Sequence, residues 1–331
     1  MSSSTEDTEP RTLRVIHAVH PDTQDIFRKF AVPKETLKTN KGTIEKVCTN
    51  CGTILKKLSV CQRVCATECK SVWYCTKECQ KKDWLRHKET CTPVERSSGI
   101  TKFPQTIIAN TLLLNTLALC AAIDLDLVND KRRLGFDVPF VGQINVGMEP
   151  SGSTDLHKLL FTKELANSKT EGMVQFNRFM SYIPGQFGYS PLEPRQMAVW
   201  NQIRAQSPKD ARVGMLEFVY NVNLKQSTMV NFCVHPEHLL AAKRAEPFTH
   251  FSGITGAKVV HPMSVVTCLE FMNTHVRADK QNQLQLRTDM TESDMDIIRG
   301  VMDRANNSEA VCLLREKINR EGFYGNLSSF M

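Results

Sequence analysis

The sequence predicts two units of unlike construction: a short cysteine-rich module with no core of its own, then an α+β domain in which helices predominate. Three observations lead there. Eight of the twelve cysteines (Cys48, Cys51, Cys61, Cys65, Cys69, Cys75, Cys79 and Cys91) fall within 44 residues. A stretch of linker composition, Thr92 to Gly99, follows the last of them, its Pro93 and Gly99 breaking any continuing helix. Beyond it, apolar residues recur first at helical spacing, then at the two-residue spacing of strands, then at helical spacing again. At about 150 residues per domain, a chain of 331 residues suggests roughly two domains.

Composition narrows the uses of the thiols. The chain is 41% hydrophobic and 23% charged, which is globular, neither collagenous nor wholly disordered. The longest apolar candidate, Ile107 to Ile123, contains Asn110, Thr111, Asn115 and Thr116, so it reads as a buried helix and no membrane span is expected. The N-terminal segment carries Glu6, Asp7, Glu9, Asp22 and Asp25 and no apolar run before a small-residue cleavage site, so no secretory signal is expected either. An intracellular location, cytoplasmic or nuclear, follows. Thiols there stay reduced, which leaves metal ligation, redox chemistry or burial. Cys120, Cys233, Cys268 and Cys312 are scattered through apolar surroundings and are expected in the core.

Along the chain, residues 1–10 are too polar to bury anything and read as a disordered tail. Residues 11–47 form an N-terminal arm with a β-like stretch at Leu13 to His17, a helix from Asp22 to Phe30 and a polar run from Lys34 to Lys46. The module spans 48–91, and 92–102 is the linker to a domain over 103–331.

Within the module the ligand spacing is Cys48-x2-Cys51, Cys65-x3-Cys69, Cys75-x3-Cys79 and His87-x3-Cys91. Eight ligands make two tetrahedral zinc sites. Zinc suits the set because reduced thiols can deprotonate onto it, it has no redox chemistry, and four protein ligands leave no place for a substrate water. Closed spheres point to structure, not catalysis. Metal binding, on the order of 10–16 kcal/mol per site in finger peptides, would supply most of the folding free energy of so short a segment. Cys79, His87 and Cys91 recur at near-helical intervals, so one helix from Thr76 to Cys91 can present all three. Residues 1–100 hold 18 basic against 12 acidic side chains, but seven thiolates and two divalent ions would bring that region to about +3. The net +7 of the chain therefore overstates any attraction to nucleic acid.

The segments Cys-Lys-Ser-Val-Trp-Tyr-Cys (69–75), Thr-Lys-Glu-Cys-Gln-Lys-Lys-Asp-Trp (76–84) and His87-x3-Cys91 closely resemble the MYND-type zinc finger. That resemblance implies a cross-braced arrangement, with Cys48, Cys51, Cys75 and Cys79 on one zinc and Cys65, Cys69, His87 and Cys91 on the other. It also implies a protein-interaction module that takes proline-containing peptides along a strand edge, Gln80 and Trp84 matching the groove positions. Trp84 could equally pack the finger's own helix. Cys65 and Cys69 have three intervening residues where the family has two, which leaves Cys61 as a competing ligand in place of Cys65.

In the second domain the expected elements are a helix from about Gln105 to Ile123, a strand at Phe140 to Met148, helices at about 155–166 and 195–206, and strands at Val213 to Val222 and Thr228 to Val234 joined by a hairpin at Asn223 to Ser227. Three helices follow: Pro262 to Ala278, one capped by Thr291 and one capped by Ser308. The region around Glu270-Phe-Met-Asn-Thr-His-Val-Arg-Ala-Asp-Lys-Gln-Asn is reminiscent of an uncharacterised region found after the finger in fungal MYND proteins. It brings no chemistry with it.

No catalytic set stands out. His235 and His238, like His17 and His20, lack a third ligand and read as capping or surface residues. Glu292, Asp294 and Asp296 read as an acidic first turn stabilised by the helix dipole. Ser151-Gly152-Ser153 lacks a nucleophile-elbow setting, and no phosphate-binding glycine loop occurs. Lys131-Arg132-Arg133 reads as solvated charge, and nucleic acid is not an expected partner. The expectation is a non-enzymatic adaptor. The enzymatic rivals are a SET-type lysine methyltransferase, whose Asn-His-Ser-Cys and Gly-Glu-Glu segments are missing, and a RING-type ubiquitin ligase, which shares the crossed zinc topology.

Overall fold

The computed structural model describes residues 21–44, 46–55, 63–64, 72–90, 102–162, 169–251 and 257–324. The expected tail, the β-like stretch at Leu13 to His17, His17 and His20, and the linker up to Thr101 lie outside them. The N-terminal region holds helices α1 (Pro21–Phe30) and α2 (Lys34–Thr43). The finger holds β1 (Lys46–Val47), β2 (Ile54–Leu55), β3 (Arg63–Val64), β4 (Trp73–Tyr74) and α3 (Lys77–Thr90). Then come α4 (Phe103–Ala109), α5 (Thr111–Asp124), β5 (Val141–Pro150), α6 (Ser153–Phe161), β6 (Glu171–Tyr182), α7 (Pro194–Gln206), β7 (Arg212–Tyr220) and β8 (Asn223–Val234). The chain closes with α8 (Pro236–Arg244), β9 (Phe248–Phe251), β10 (Lys258–His261), α9 (Val265–Ala278), β11 (Arg287–Asp289), α10 (Glu292–Gly300), α11 (Glu309–Arg320) and a 3-10 turn at Gly322–Tyr324.

A mixed sheet in the order β11-β6-β5-β7-β8 organises this α+β region. β5 runs parallel to β7 and every other pairing is antiparallel, so α7 serves as the crossover from β6 to β7. One face packs the main core against α5, α9 and α10, around Leu117, Phe176, Phe218, Met272 and Ile298. The other face packs Val141, Val213 and Met215 against Trp200 of α7, whose indole nitrogen donates to the Val213 carbonyl at 2.9 Å.

Several expectations need correction. The single helix expected from Gln105 to Ile123 is broken at Asn110, where the backbone turns extended and the axes of α4 and α5 meet at 90°. The Asn110 side chain caps α5 by accepting from Leu113 N at 3.3 Å, a local option that a short amide has and an apolar residue lacks. The hairpin turn is Asn221-Val222, both at positive φ, rather than Asn223 to Ser227. A β-branched residue gives no turn signal in sequence. β6 went unpredicted because a bulge at Asn177 breaks its alternation and both its faces are buried. Of the four cysteines expected in the core, Cys120 and Cys268 are buried while Cys233 and Cys312 are half-buried. Ser308 stands at the N-cap of α11 without making a side-chain cap bond, whereas Thr291 caps α10 through Asp294 N.

The N-terminal helices pack on the second domain. Phe27 of α1 enters the main core with its ring 4.9 Å from that of His275 on α9, and Gln24 donates to the Ala278 carbonyl at 3.1 Å. Leu37 of α2 is buried with Val32 and Ala109, and Asn40 donates to the Ala109 carbonyl at 2.8 Å.

The polar residues of α9 turn inward. Asn273 accepts from Phe176 N at 2.7 Å and donates to Phe176 O at 3.0 Å, so its amide acts as a strand partner to β6 just past β11. Nearby, Glu149 at the end of β5 receives Lys317 and the Tyr324 hydroxyl, while Arg277 lies 3.6 Å from it and 2.9 Å from Glu321. All of these side chains are sealed from solvent. Burial would raise the Glu149 carboxyl, but Lys317 and Arg277 outweigh it and hold the group below its ordinary value.

Two outcomes are expected. Glu149→Gln leaves Lys317 and Arg277 short of counter-charge and should cost about 3–5 kcal/mol in chemical denaturation. Burial also holds the His275 imidazole down at about 4 from an ordinary 6.5. The unfolded chain therefore takes this proton first, and stability should fall as pH drops through that window, by up to about 3 kcal/mol. Melting curves of His275→Phe should lose this part of the pH dependence.

Candidate metal centre

The first two cysteines sit on a tight knuckle. β1 and β2 pair antiparallel, Val47 opposite Ile54, and the turn between them is closed by Cys48 N to Thr53 O and Gly52 N to Cys48 O, each 2.9 Å. Gly52 takes a φ of +73°, a conformation that favours glycine, and lies against Val199 of α7. The next two cysteines flank the start of α3. Thr76 caps that helix by accepting from Cys79 N at 3.1 Å, which orients the first turn and places Cys79 beside Cys75.

The sulfurs of Cys48, Cys51, Cys75 and Cys79 all lie within 4.8 Å of one another. Cys51 and Cys75 are 3.5 Å apart, and Cys75 and Cys79 are 3.4 Å apart. Zinc–thiolate bonds of about 2.3 Å set the edges of a sulfur tetrahedron at about 3.8 Å, so this group has the size and chemistry of a closed zinc sphere. Burial, then hydrogen bonds to Cys79, Cys51 and Cys48, push the Cys75 thiol up. Burial also opposes ionisation of Cys51, but hydrogen bonds from Thr53, Cys48 and Cys75 bring it down to about 6. Four such thiolates form together only around a cation, and a bound zinc ion would supply that charge and a rigid cross-link.

A family model described as MYND finger matches residues 48–91, and one described as a domain of unknown function, DUF8205, matches residues 97–324, more than half of the chain. The chain belongs to the DUF8205 family. No curated protein and no solved structure matches it. Ahead of the DUF8205 domain, the MYND finger is a zinc-binding protein-interaction module.

Of the second expected ligand set, His87 is described and Cys65, Cys69 and Cys91 lie outside the described residues, as does Cys61. His87 is eight residues beyond Cys79 on α3, about 12 Å along the axis, and so stands apart from the four-sulfur group. Burial lowers its pKa, with Asp83 partly offsetting, which favours the neutral ring that binds metals. Asp83 is itself buried, accepting from the Tyr74 hydroxyl at 2.8 Å and from Arg86. Gln80 is half-buried, while Trp84 is 38% exposed with its ring 6.1 Å from that of His87.

The MYND finger touches the DUF8205 domain through Arg195, which donates to the Thr49 carbonyl, and through an Arg86–Glu193 pair at 3.4 Å. Sequence reasoning missed Arg195, which carries no motif, and Thr76, whose position before an α-helical run was a readable capping signal. The other candidates are structural or paired. The His238 ring accepts from His235 N at 2.9 Å. Asp294 receives Tyr220, Asn221 and Thr291, while Glu292 and Asp296 both pair with Arg299. Arg132 and Arg133 pair with Asp130 and Asp137. Among the described residues, no single helix is long and apolar enough to cross a membrane.

Replacing Cys75 by Ser removes the sulfur common to both short contacts. Metal analysis should show loss of zinc and limited proteolysis should open the finger, with the main melting transition of the DUF8205 domain retained.

Proposed function

We propose that the protein is a non-enzymatic adaptor whose finger holds two zinc ions, one on Cys48, Cys51, Cys75 and Cys79 and one on Cys65, Cys69, His87 and Cys91, and docks a proline-containing peptide of a partner protein against Gln80 and Trp84. The observation that carries this reading is on α3. That helix turns Asp83 and His87 inward and leaves Trp84 and Leu85 to solvent, Leu85 being 69% exposed. Trp84 stands one turn from Gln80 on the same side of a helix that a metal site would fix at one end, so a partner would meet an aromatic face whose backbone is already ordered. Proline rings pack on such a surface, and a neighbouring strand edge satisfies the peptide backbone.

The DUF8205 domain positions the finger and takes no part in a reaction. Two of its buried acids are met within the fold, Glu149 by Lys317 and Arg277 and Asp294 by Tyr220 and Thr291. The thiol-rich composition fits a reducing compartment, so we place the protein inside the cell, in cytoplasm or nucleus.

Trp84→Ala should weaken capture of proline-containing peptides by about tenfold or more, the usual cost of truncating an aromatic anchor. Elemental analysis of the same variant should still return two zinc ions per chain. Loss of zinc on substitution would assign Trp84 to packing within the finger and overturn its place in the groove.

A further inference from the structure

β8 lies at one edge of the five-stranded sheet, with β7 on one side and, among the described residues, no strand on the other. A slot of about 570 Å³ runs along that edge. Gln105 and Ile108 of α4 line it on one side, Val199 and Ile203 of α7 on the other, and Thr49 and Trp73 of the finger close one end. β8 residues from both faces of the sheet open into it, Val230 and Phe232 toward the main core, Met229 and Cys233 toward α7. The slot therefore follows the bare hydrogen-bonding edge of a strand between two apolar walls. An unpaired edge presents rows of N–H and C=O groups that an added strand satisfies and a globular surface does not.

Two acceptors give the slot a chemical preference. Asn231 Oδ1 is buried and, among the described residues, has no hydrogen-bond partner. Glu217 points from the same face, since Asn231 pairs across from Met215 and Glu217 from Met229, making the two diagonal neighbours. Among the described residues, the donors to Glu217 are neutral, the Gln143 amide at 2.9 Å and the Tyr182 hydroxyl at 3.2 Å. Arg195, the basic group in the lining, is already held by Glu193 at 3.2 Å and by the Thr49 carbonyl. Among the described residues, the slot thus carries a carboxylate met by no basic side chain beside an amide oxygen that accepts no hydrogen bond.

We infer that this slot is a second peptide site, in which an extended segment of a partner protein adds to the free edge of β8, its aliphatic side chains meeting the two walls and a lysine or arginine meeting Glu217 and Asn231. The site is separate from the groove at Gln80 and Trp84. The finger takes part in it through the knuckle at Thr49 and through Trp73, so one partner can reach both.

The test is a selection from a displayed library of random short peptides on the full-length, zinc-loaded protein, run in parallel on Glu217→Lys. Sequences enriched on the wild type alone should alternate aliphatic residues and carry a Lys or Arg on the opposite face. A synthetic peptide of that sequence should slow amide hydrogen exchange in residues 227–233. It should bind about tenfold more weakly to Glu217→Lys, the scale of a lost charged hydrogen bond. N-methylation of its alternate backbone amides should abolish binding. Should Glu217→Lys fold poorly, Glu217→Gln takes its place and should keep binding while losing the preference for a basic residue. Enrichment of the same sequences on both proteins, protection on α3 instead of β8, or indifference to N-methylation would overturn the inference. So would enrichment seen only after removal of residues 1–20, which would make the slot a seat for the chain's own N-terminal segment.

Discussion

Four sulfur atoms within 4.8 Å cannot all be ionised without a cation among them, and the finger's shape rests on that electrostatic fact. Its strands are two residues long, too short to hold a fold by hydrogen bonds alone. What the sulfurs fix is the knuckle at Cys48 to Gly52, and what the knuckle fixes is a carbonyl. Thr49 O receives the Arg195 guanidinium, and Gly52 sits against Val199, so the metal centre sets where the finger rests on α7. Inorganic chemistry at one end of the chain thereby shapes a surface built mostly by the other.

The larger domain meets a different constraint. Charged residues lie inside it, and each is tolerated because a partner of opposite sign or a backbone group meets it there. Glu149, Arg277, Lys317, Glu321 and Tyr324 form one such knot, and Arg212 with Asp130 at 2.8 Å forms another under the loop after α5. Buried ion pairs add little net stability over an apolar core of equal volume, but they penalise any arrangement that separates them. Here they tie β5, α9 and α11 into a single register.

How much of this was legible in the sequence follows from how local each signal is. Cysteine spacing is local chemistry, and Cys48, Cys51, Cys75 and Cys79 do come together. Helix periodicity and caps are local too, so α7, α9 and α10 lie close to where the pattern puts them. β6 was invisible because Gln175, Asn177 and Arg178 look like loop residues until their surroundings are in place, Lys317 on Gln175 and the Asn273 amide on the Phe176 backbone between them. The role of Arg277 was hidden likewise. In sequence it is one basic residue in a polar run. In the fold it faces two carboxylates from strands and helices more than forty residues away. The slot along β8 is beyond sequence reasoning altogether, since its walls come from α4, α7 and the finger and meet only through tertiary packing.

The amide fork of Asn273 has a consequence for how the molecule can assemble. It plugs the flank of β6 immediately beyond β11, which is itself three residues long, so that margin of the sheet offers no run of backbone for another chain to join. Among the described residues, the opposite margin of this sheet is β8, which has no strand on its outer side. A strand joining this sheet would therefore enter on the β8 side, beside α7 and the finger, and not against α9.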